Sequence, residues 1–207
     1  MHRPAPPLHD VGFELLPELG AAWFVASELV TTLAFVAFGL WVLSPFFLPG
    51  PPRFHTVAAL SRMLAVVSCC QLLRMAAFSA TQLPSPAAHC RPGAPTAMLP
   101  PLRSAADVLL VNVARQVNRG CGDLIFSSHV TFTLTMALIY SRYGSLGLAK
   151  AAAWAGIVLN ALLIVASRKH YTVDVVVAAF TVPLVWMALD AKLRDPPPPE
   201  AAHQLPR

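Results

Sequence analysis

Long apolar runs determine what this chain can fold into. Five of them, at about 21–47, 57–80, 124–141, 148–167 and 171–192, approach or exceed the roughly 20 residues that a helix needs to cross a bilayer. Only 12% of the 207 residues are charged, about half of the share that is usual in a soluble domain. In hydrocarbon the backbone polar groups must be paired within each segment, as they are in a helix. The sequence therefore predicts an all-α integral membrane protein, a bundle of about five transmembrane helices.

The remaining residues divide around this bundle. We expect 1–20 to form an outer N-terminal segment, 21–192 the transmembrane domain, and the proline-rich residues 193–207 a disordered cytoplasmic tail. Arg53 and Arg62 follow the first run, so the positive-inside rule puts the first connection in the cytoplasm and the N-terminus outside. A connection of about 40 residues separates the second and third runs, too long for a simple turn. In its part at 104–118 the apolar residues recur at mixed helical spacing, so this part is expected to lie along the membrane surface.

Charge and cysteine usage exclude some classes of protein. The formal net charge of +5 comes from scattered basic residues, whereas nucleic-acid binding needs a basic patch or stripe. The four cysteines form no close-spaced metal pattern. Cys69 and Cys70 are adjacent in an apolar run and are expected to be buried thiols. Cys90 and Cys121 flank the long connection and either pair or stay free.

Two histidines mark a polar site in this apolar chain. His129 lies near the start of the third run, in CGDLIFSSHVTF, and His170 opens the fifth, in HYTVDVVVAAF. Two spans, one in each direction, lie between them, so both face the same side of the membrane. Asp174 follows His170 by four residues and shares its helix face. Each histidine alone is more simply an interfacial polar residue, but together the three side chains favour nucleophilic and acid–base chemistry.

The surroundings of the histidines suit a phosphate group. Ser127 is a predicted N-cap, and with Ser128 it opens a helix start whose free amides form an anion site. Arg168 and Lys169 directly precede the second histidine and are expected to share its face, where they either bind an anion or anchor the helix at the interface. Arg74 lies inside the second run, where an arginine is costly unless it pairs with an anion or faces a polar cavity. We favour a phosphate contact for Arg74.

These residues carry a resemblance to a known family. CGDLIFSSH resembles the Cys-Gly-Asp-three-residues-Ser-Gly-His motif of the sphingomyelin synthases, with Asp123 as its aspartate. HYTVDVVVAAF resembles their His-Tyr-Thr-x-Asp-Val motif, with Tyr171 as its tyrosine. Two weaker matches come in the same order: PLHD, which ends at Asp10, and Arg62 with Arg74 followed by LPSP.

The resemblance implies a membrane enzyme with a core like that of the type 2 lipid phosphate phosphatases. Residues 21–192 would then be the catalytic domain, with its site on the lumenal or outer face of the Golgi, plasma membrane or endoplasmic reticulum. His170 would attack the phosphorus of a glycerophospholipid with support from Asp174. His129 would protonate the departing diacylglycerol and then deprotonate the primary hydroxyl of ceramide.

The same resemblance implies the substrates, while the phosphate-binding residues follow from the surroundings of the histidines described above. The product would be a phosphosphingolipid, with phosphocholine as the first choice of headgroup and ethanolamine phosphate or inositol phosphate as variants. No metal or other cofactor is needed in this scheme. The expected phosphate-binding residues are Arg74, Ser127, Ser128 and Lys169.

Departures from the family pattern keep alternatives open. Ser128 replaces the usual glycine before the histidine and adds a side chain where a phosphate would approach. The family usually has six spans, and here the PLHD motif starts the chain, so we expect a shortened enzyme or an incomplete sequence. A lipid phosphatase or phospholipase C-like hydrolase, with water as acceptor, is one alternative. A non-catalytic membrane protein is another.

Overall fold

The fold is a bundle of helices. A computed structural model describes residues 6–19, 21–48, 54–87, 90 and 124–193. Within these residues, a short helix α1 (Val11–Leu15) precedes five long ones. In chain order these are α2 (Ala21–Phe47), α3 (Thr56–Ala80), α4 (Ser128–Tyr143), α5 (Gly147–Ala166) and α6 (Thr172–Asp190). The predicted all-α class is confirmed.

Four of the long helices are long and apolar enough to cross a membrane, namely Val25–Phe47 of α2 and the whole of α3, α5 and α6. Their bounds agree with the predicted runs to within two residues. Helix α4 differs, because it has 16 residues. That is roughly 24 Å of helix, against about 30 Å for the hydrocarbon core. Residues 124–127, predicted to begin this span, are not helical.

Helix α4 is the central helix of the bundle. It packs against each of the other four long helices. Three threonines on it are buried, Thr131, Thr133 and Thr135. Each donates its hydroxyl to the carbonyl four residues before it, over 2.7 to 2.9 Å. A helix enclosed by protein can carry such polar side chains because each is satisfied locally, which explains why α4 is less apolar than its neighbours.

Two apolar clusters fill the space between the helices. The larger one joins α3, α4, α5 and α6 and is made of Val66, Cys70, Phe126, Val130, Leu134, Ile164, Ala178 and Val182. A smaller one lies between α2, α3 and α4 and is made of Val42, Phe54, Ala59 and Ile139. Lipid tails are as apolar as these side chains, so close packing is the main source of their stabilising effect.

The expectation of free thiols at Cys69 and Cys70 is confirmed, but the expectation that both are buried is wrong for Cys69. Cys69 and Cys70 are free, and Cys70 is buried while Cys69 is half-buried. Cys90 is buried and disulfide-bonded. Cys121 lies outside the described residues, as do the 104–118 segment, the tail beyond Leu193 and Asp123 of the first motif.

The end of the bundle opposite the histidines is closed by an ionic cluster. Asp190, the last residue of α6, pairs with Arg62 of α3 and, at 2.9 Å, with Arg142 of α4. Arg62 also donates to the carbonyl oxygen of Leu193 over 2.6 Å, and its guanidinium lies 5.7 Å from the ring centroid of Trp186. Arg62 is only 3% exposed, so it stabilises this end of the bundle and lies far from the histidines.

We expect Asp190→Ala to lower the free energy of unfolding by roughly 3 kcal/mol, because it leaves the buried Arg62 charge without its carboxylate. Arg142→Ala is the matched control. Its side chain is 35% exposed, so its loss should cost less than about 1 kcal/mol. Thermal unfolding of the protein in detergent micelles measures both. Equal effects of the two substitutions would contradict the role given to Arg62.

Candidate active site

An imidazole–carboxylate pair lies at the start of α6. His170 Nδ1 is 3.1 Å from Asp174 Oδ2. The same oxygen accepts a hydrogen bond from the Tyr171 backbone N–H over 3.0 Å, and Asp174 is fully buried. The carboxylate therefore fixes the orientation of the ring and occupies Nδ1. This leaves Nε2 as the nitrogen of His170 that is open to other chemistry.

His129 stands beside this pair. It is the second residue of α4, and its ring centroid lies 6.4 Å from that of His170. The prediction that both histidines face the same side of the bundle is confirmed. His129 Nε2 is 3.0 Å from Glu28 Oε1, while its Nδ1 is buried without a hydrogen-bond partner in the described part of the chain.

Glu28 completes the site, and the sequence analysis missed it. One oxygen of its carboxylate contacts His129 Nε2 at 3.0 Å and Lys169 Nζ at 2.7 Å. A signal was present, because Glu28 is the only acidic residue in the run 21–47. A carboxylate in such a run is costly and usually has a partner and a function. Helices α2 and α4 and the α5–α6 connection thus meet at one carboxylate.

Lys169 lies at the site as predicted, but its partner was not predicted. Its side chain is only 6% exposed and is held by the carboxylate of Glu28. Burial lowers the pKa of the Lys169 ammonium, and the hydrogen bond and charge of Glu28 oppose this shift. Its Nζ thus lies against the carboxylate oxygen that also contacts His129.

Arg168 turns away from Lys169, although the two are adjacent in sequence. The backbone turns at this residue, where φ is 56°. This value lies in the left-handed region that favours glycine. Its Nη2 donates to the carbonyl oxygens of Phe13 and Leu16 over 2.9 and 3.0 Å, and its guanidinium lies 4.3 Å from the Phe13 ring centroid. The prediction that both basic residues share the face of His170 is wrong for Arg168, which anchors the N-terminal segment.

The predicted phosphate-binding serines and arginine adjoin the start of α4. Ser127 is the N-cap as predicted, but its hydroxyl makes no capping bond. Its N–H donates to the carbonyl oxygen of Asp174 over 3.1 Å, and its Oγ is buried without a partner in the described ranges. Ser128 is half-buried at the first helical position. Arg74 Nε donates to the carbonyl oxygen of Phe126 over 2.8 Å, so this side chain lies against the segment that leads to the histidine.

A single carboxylate caps two helices at the edge of the site. Asp10 accepts hydrogen bonds from Thr172 N–H over 2.9 Å and from the Thr172 hydroxyl over 2.6 Å. It also accepts from Phe13 N–H at 3.2 Å, at the start of α1. A carboxylate at a helix N-terminus satisfies free N–H groups and complements the helix dipole. Asp10 of the PLHD motif thus holds the start of the helix that carries His170 and Asp174.

Further contacts hold the N-terminal segment in place. Tyr171 donates its hydroxyl to the carbonyl oxygen of Pro84 over 2.7 Å and accepts from Leu8 N–H over 3.0 Å. Burial raises the pKa of this hydroxyl. A Cβ on Gly12 would lie 2.8 Å from Val165 Cγ1, so a glycine is needed for the close approach of α1 to α5. The Tyr171 hydroxyl and the close approach at Gly12 therefore both hold the N-terminal segment against the site.

The arrangement can support group transfer through a histidine. Asp174 holds one imidazole so that its other nitrogen can act as a nucleophile, and Glu28 can stabilise positive charge on the second imidazole. Among the described residues, no group of three or more His, Cys, Asp or Glu side chains is arranged to hold a metal ion.

Comparison with known proteins agrees with this geometry. Residues 120–191 match the PAP2 superfamily C-terminal family. The chain is 49% identical over 197 residues to a phosphatidylinositol:ceramide inositolphosphotransferase of Oryza sativa subsp. indica, covering 95% of this chain and 60% of that protein. It is 46% identical over 195 residues to phosphatidylinositol:ceramide inositolphosphotransferase 3 of Arabidopsis thaliana. That match covers 94% of this chain and 67% of the relative. A phosphatidylcholine:ceramide cholinephosphotransferase 2 of Macaca fascicularis is 26% identical over 189 residues, covering 85% and 47%.

Fold, site and relatives define a multi-pass membrane protein of the PAP2 superfamily. Within it, the chain belongs to the sphingomyelin synthase family of ceramide phosphotransferases, as the motif resemblance predicted. The chain spans 60% of the length of the rice relative.

We expect Asp10→Ala to expose the start of α6. Loss of the double cap should cost roughly 1–2 kcal/mol of stability, and hydrogen exchange at the amide of Thr172 should accelerate. Asp10→Asn keeps a side-chain acceptor and should restore most of the protection. Glu14→Ala is the matched control, because Glu14 lies on the same segment and makes only an exposed ion pair with His9. Unchanged exchange in Asp10→Ala would refute the capping role.

Proposed function

We propose that this protein transfers inositol phosphate from phosphatidylinositol to the primary hydroxyl of ceramide and releases diacylglycerol. The observation that carries this proposal is the pair of imidazoles, each with its own carboxylate, whose rings lie 6.4 Å apart. The relatives favour phosphatidylinositol as the donor. Two relatives named for phosphatidylinositol are 49% and 46% identical to this chain, and one named for phosphatidylcholine is 26% identical. Inositol phosphate, one of the headgroup variants that the motifs left open, thus replaces phosphocholine as the first choice.

The first half-reaction forms a covalent intermediate. His170 Nε2 attacks the phosphorus of the donor lipid, and the bond from phosphorus to the glycerol oxygen breaks. His129 gives its proton to that oxygen, so that diacylglycerol leaves as a neutral alcohol. Asp174 stabilises the positive charge that develops on the attacking ring. The product of this step is inositol phosphate attached to His170.

The second half-reaction reverses the proton movement. His129, now neutral, takes the proton of the primary hydroxyl of ceramide. The ceramide oxygen attacks phosphorus and the phosphorus–nitrogen bond breaks, which regenerates His170. One imidazole therefore serves first as general acid and then as general base.

We assign supporting roles to the residues around the histidines. Glu28 orients His129 and stabilises its protonated form during the cycle. Lys169 and Arg74 supply positive charge for the phosphate oxygens, and the unpartnered Oγ of Ser127 supplies a hydroxyl donor. Ser128 lies beside it at the open end of α4, where helix amides favour an anion.

The aromatic side chains near the site support a polyol headgroup over choline. A quaternary ammonium group binds best over free aromatic faces. Phe13 and Tyr171 stack with ring centroids 5.4 Å apart, and the Arg168 guanidinium lies over Phe13 at 4.3 Å. A trimethylammonium group would have to displace that cation, whereas inositol hydroxyls need only hydrogen-bonding partners.

We place the site on the lumenal or outer face of the membrane. Four basic residues lie toward the end of the bundle opposite the histidines, namely Arg62, Arg142, Lys150 and Lys192. Basic residues near the ends of spans mark the cytoplasmic side. Donor and acceptor lipid would therefore meet at the other face.

The donor is tested with purified wild-type protein and labelled phosphatidylinositol, phosphatidylcholine or phosphatidylethanolamine, each with and without ceramide. We expect a labelled inositol phosphosphingolipid only from phosphatidylinositol with ceramide, and a loss of at least about 10³-fold in His170→Ala. Faster transfer from phosphatidylcholine would refute phosphatidylinositol as the preferred donor. Release of diacylglycerol without ceramide at an equal rate over many turnovers would indicate a hydrolase. Inactivity with every donor would indicate a non-catalytic protein.

The role of Glu28 is tested by Glu28→Gln, with Glu14→Gln as the exposed control. Because the amide keeps the shape but not the charge, we expect kcat to fall at least roughly 10–100-fold, the loss seen when a carboxylate that orients a metal-bound histidine is changed. The KM for ceramide should change little. An unchanged kcat in Glu28→Gln would show that the carboxylate takes no part in turnover.

A further inference from the structure

An apolar groove leads away from the candidate active site between α2, α4 and α5. Its volume is about 560 Å³. It begins next to the catalytic side chains, at Val30, two residues beyond Glu28, and at Thr133, whose hydroxyl donates to the carbonyl oxygen of His129 over 2.8 Å. The groove thus starts within about one helical turn of Glu28 and His129.

The dimensions and lining of the groove fit one hydrocarbon chain. It follows α2 from Val30 to Trp41, roughly 16 Å, which is close to half of the roughly 30 Å hydrocarbon core of a bilayer. Ala153 and Gly156 of α5 leave the space open, and aromatic residues such as Trp41 and Tyr140 line its far part. A groove of this depth accommodates a chain that starts at the headgroup level of one leaflet.

A buried amide lies between the groove and the histidines. Asn160 is fully buried on α5, one turn closer to the site than Gly156 and on the same helix face. Its Nδ2 donates to the Thr31 hydroxyl over 3.1 Å, and Thr31 follows Glu28 by three residues on α2. Asn160 Oδ1 is buried and has no hydrogen-bond partner in the described part of the chain. An unpaired amide oxygen in an apolar bundle is unfavourable, so a bound donor would stabilise it.

We propose that the groove holds a hydrocarbon chain of ceramide and that Asn160 Oδ1 accepts the ceramide amide N–H. This inference rests on the proposed function and names the acceptor subsite. In ceramide the amide nitrogen is on the carbon next to the one that bears the primary hydroxyl, so a donor lies just below the reacting oxygen. The glycerol esters of a phospholipid carry acceptors alone. Asn160 therefore selects ceramide over the donor lipid for this groove, with the hydroxyl at the level of His129.

The groove is tested by filling it with Gly156→Leu. A Cβ at Gly156 meets no heavy atom within 4 Å, and leucine favours a helix over glycine, so the variant should fold. Gly39→Leu is the matched control, because it also adds a side chain in open space within a spanning helix but does not line the groove. Transfer is measured with ceramides shortened in either chain and with donors of different acyl length.

We expect Gly156→Leu to raise the KM for long-chain ceramide about tenfold and to leave one of the chain-shortened ceramides unaffected, while Gly39→Leu behaves as wild type. Wild-type kinetics with every ceramide would overturn the proposal. A loss in Gly156→Leu that follows the acyl length of the donor would also overturn it, since the groove would then hold the donor. If wild-type protein transfers nothing to ceramide, the proposed function itself fails, which is a different result.

The amide contact is tested by Asn160→Leu. We expect the KM for ceramide to rise about tenfold, as the loss of one hydrogen bond commonly produces. The single-turnover release of diacylglycerol without ceramide should stay at the wild-type rate, because this step needs only the donor. Thermal unfolding checks that the variant is folded. An unchanged KM, or an equal loss in diacylglycerol release, would refute a specific contact with ceramide.

Discussion

The shared carboxylate of Glu28 is the interaction on which the site depends. In a bundle that crosses hydrocarbon, an ionised side chain is unfavourable unless an opposite charge lies against it. One oxygen of Glu28 contacts both His129 and Lys169, which belong to α4 and to the α5–α6 connection. A displacement of α2 would remove both of these contacts from Glu28 at once. The electrostatics that supports the chemistry thus also holds three parts of the chain together.

The starts of α4 and α6 meet because each is fixed by more than its own sequence. Ser127 N–H, just before α4, donates to the carbonyl oxygen of Asp174 in α6. Asp10 caps α6 from the N-terminal segment. Helix α4 can be short and carry buried threonines because other helices surround it. Rigid positioning of two helix ends is what keeps the two imidazole ring centroids 6.4 Å apart.

Much of this could be predicted from the sequence. Apolar runs of bilayer length located four long helices to within two residues, and counting the spans placed His129 and His170 on one side. Glu28 stands out as the only acidic residue of its run, but its partners could not be predicted because they are 101 and 141 residues away in the sequence. Arg168 was assigned to the face of His170 because it lies only two residues before it in the sequence. The actual turn at Arg168 has a positive φ and directs its side chain to Phe13.

The sequence by itself determined the class of fold, since apolarity and segment length are local properties that a bilayer translates directly into helices. It also determined the pairing of His170 with Asp174, because residues four apart share a helix face. Only the tertiary structure decided which carboxylate accompanies His129, what Arg168 and Asp10 hold, and where an apolar groove opens beside the site. These depend on how the helices pack against one another, and the free energy of such contacts has no signature in any single segment.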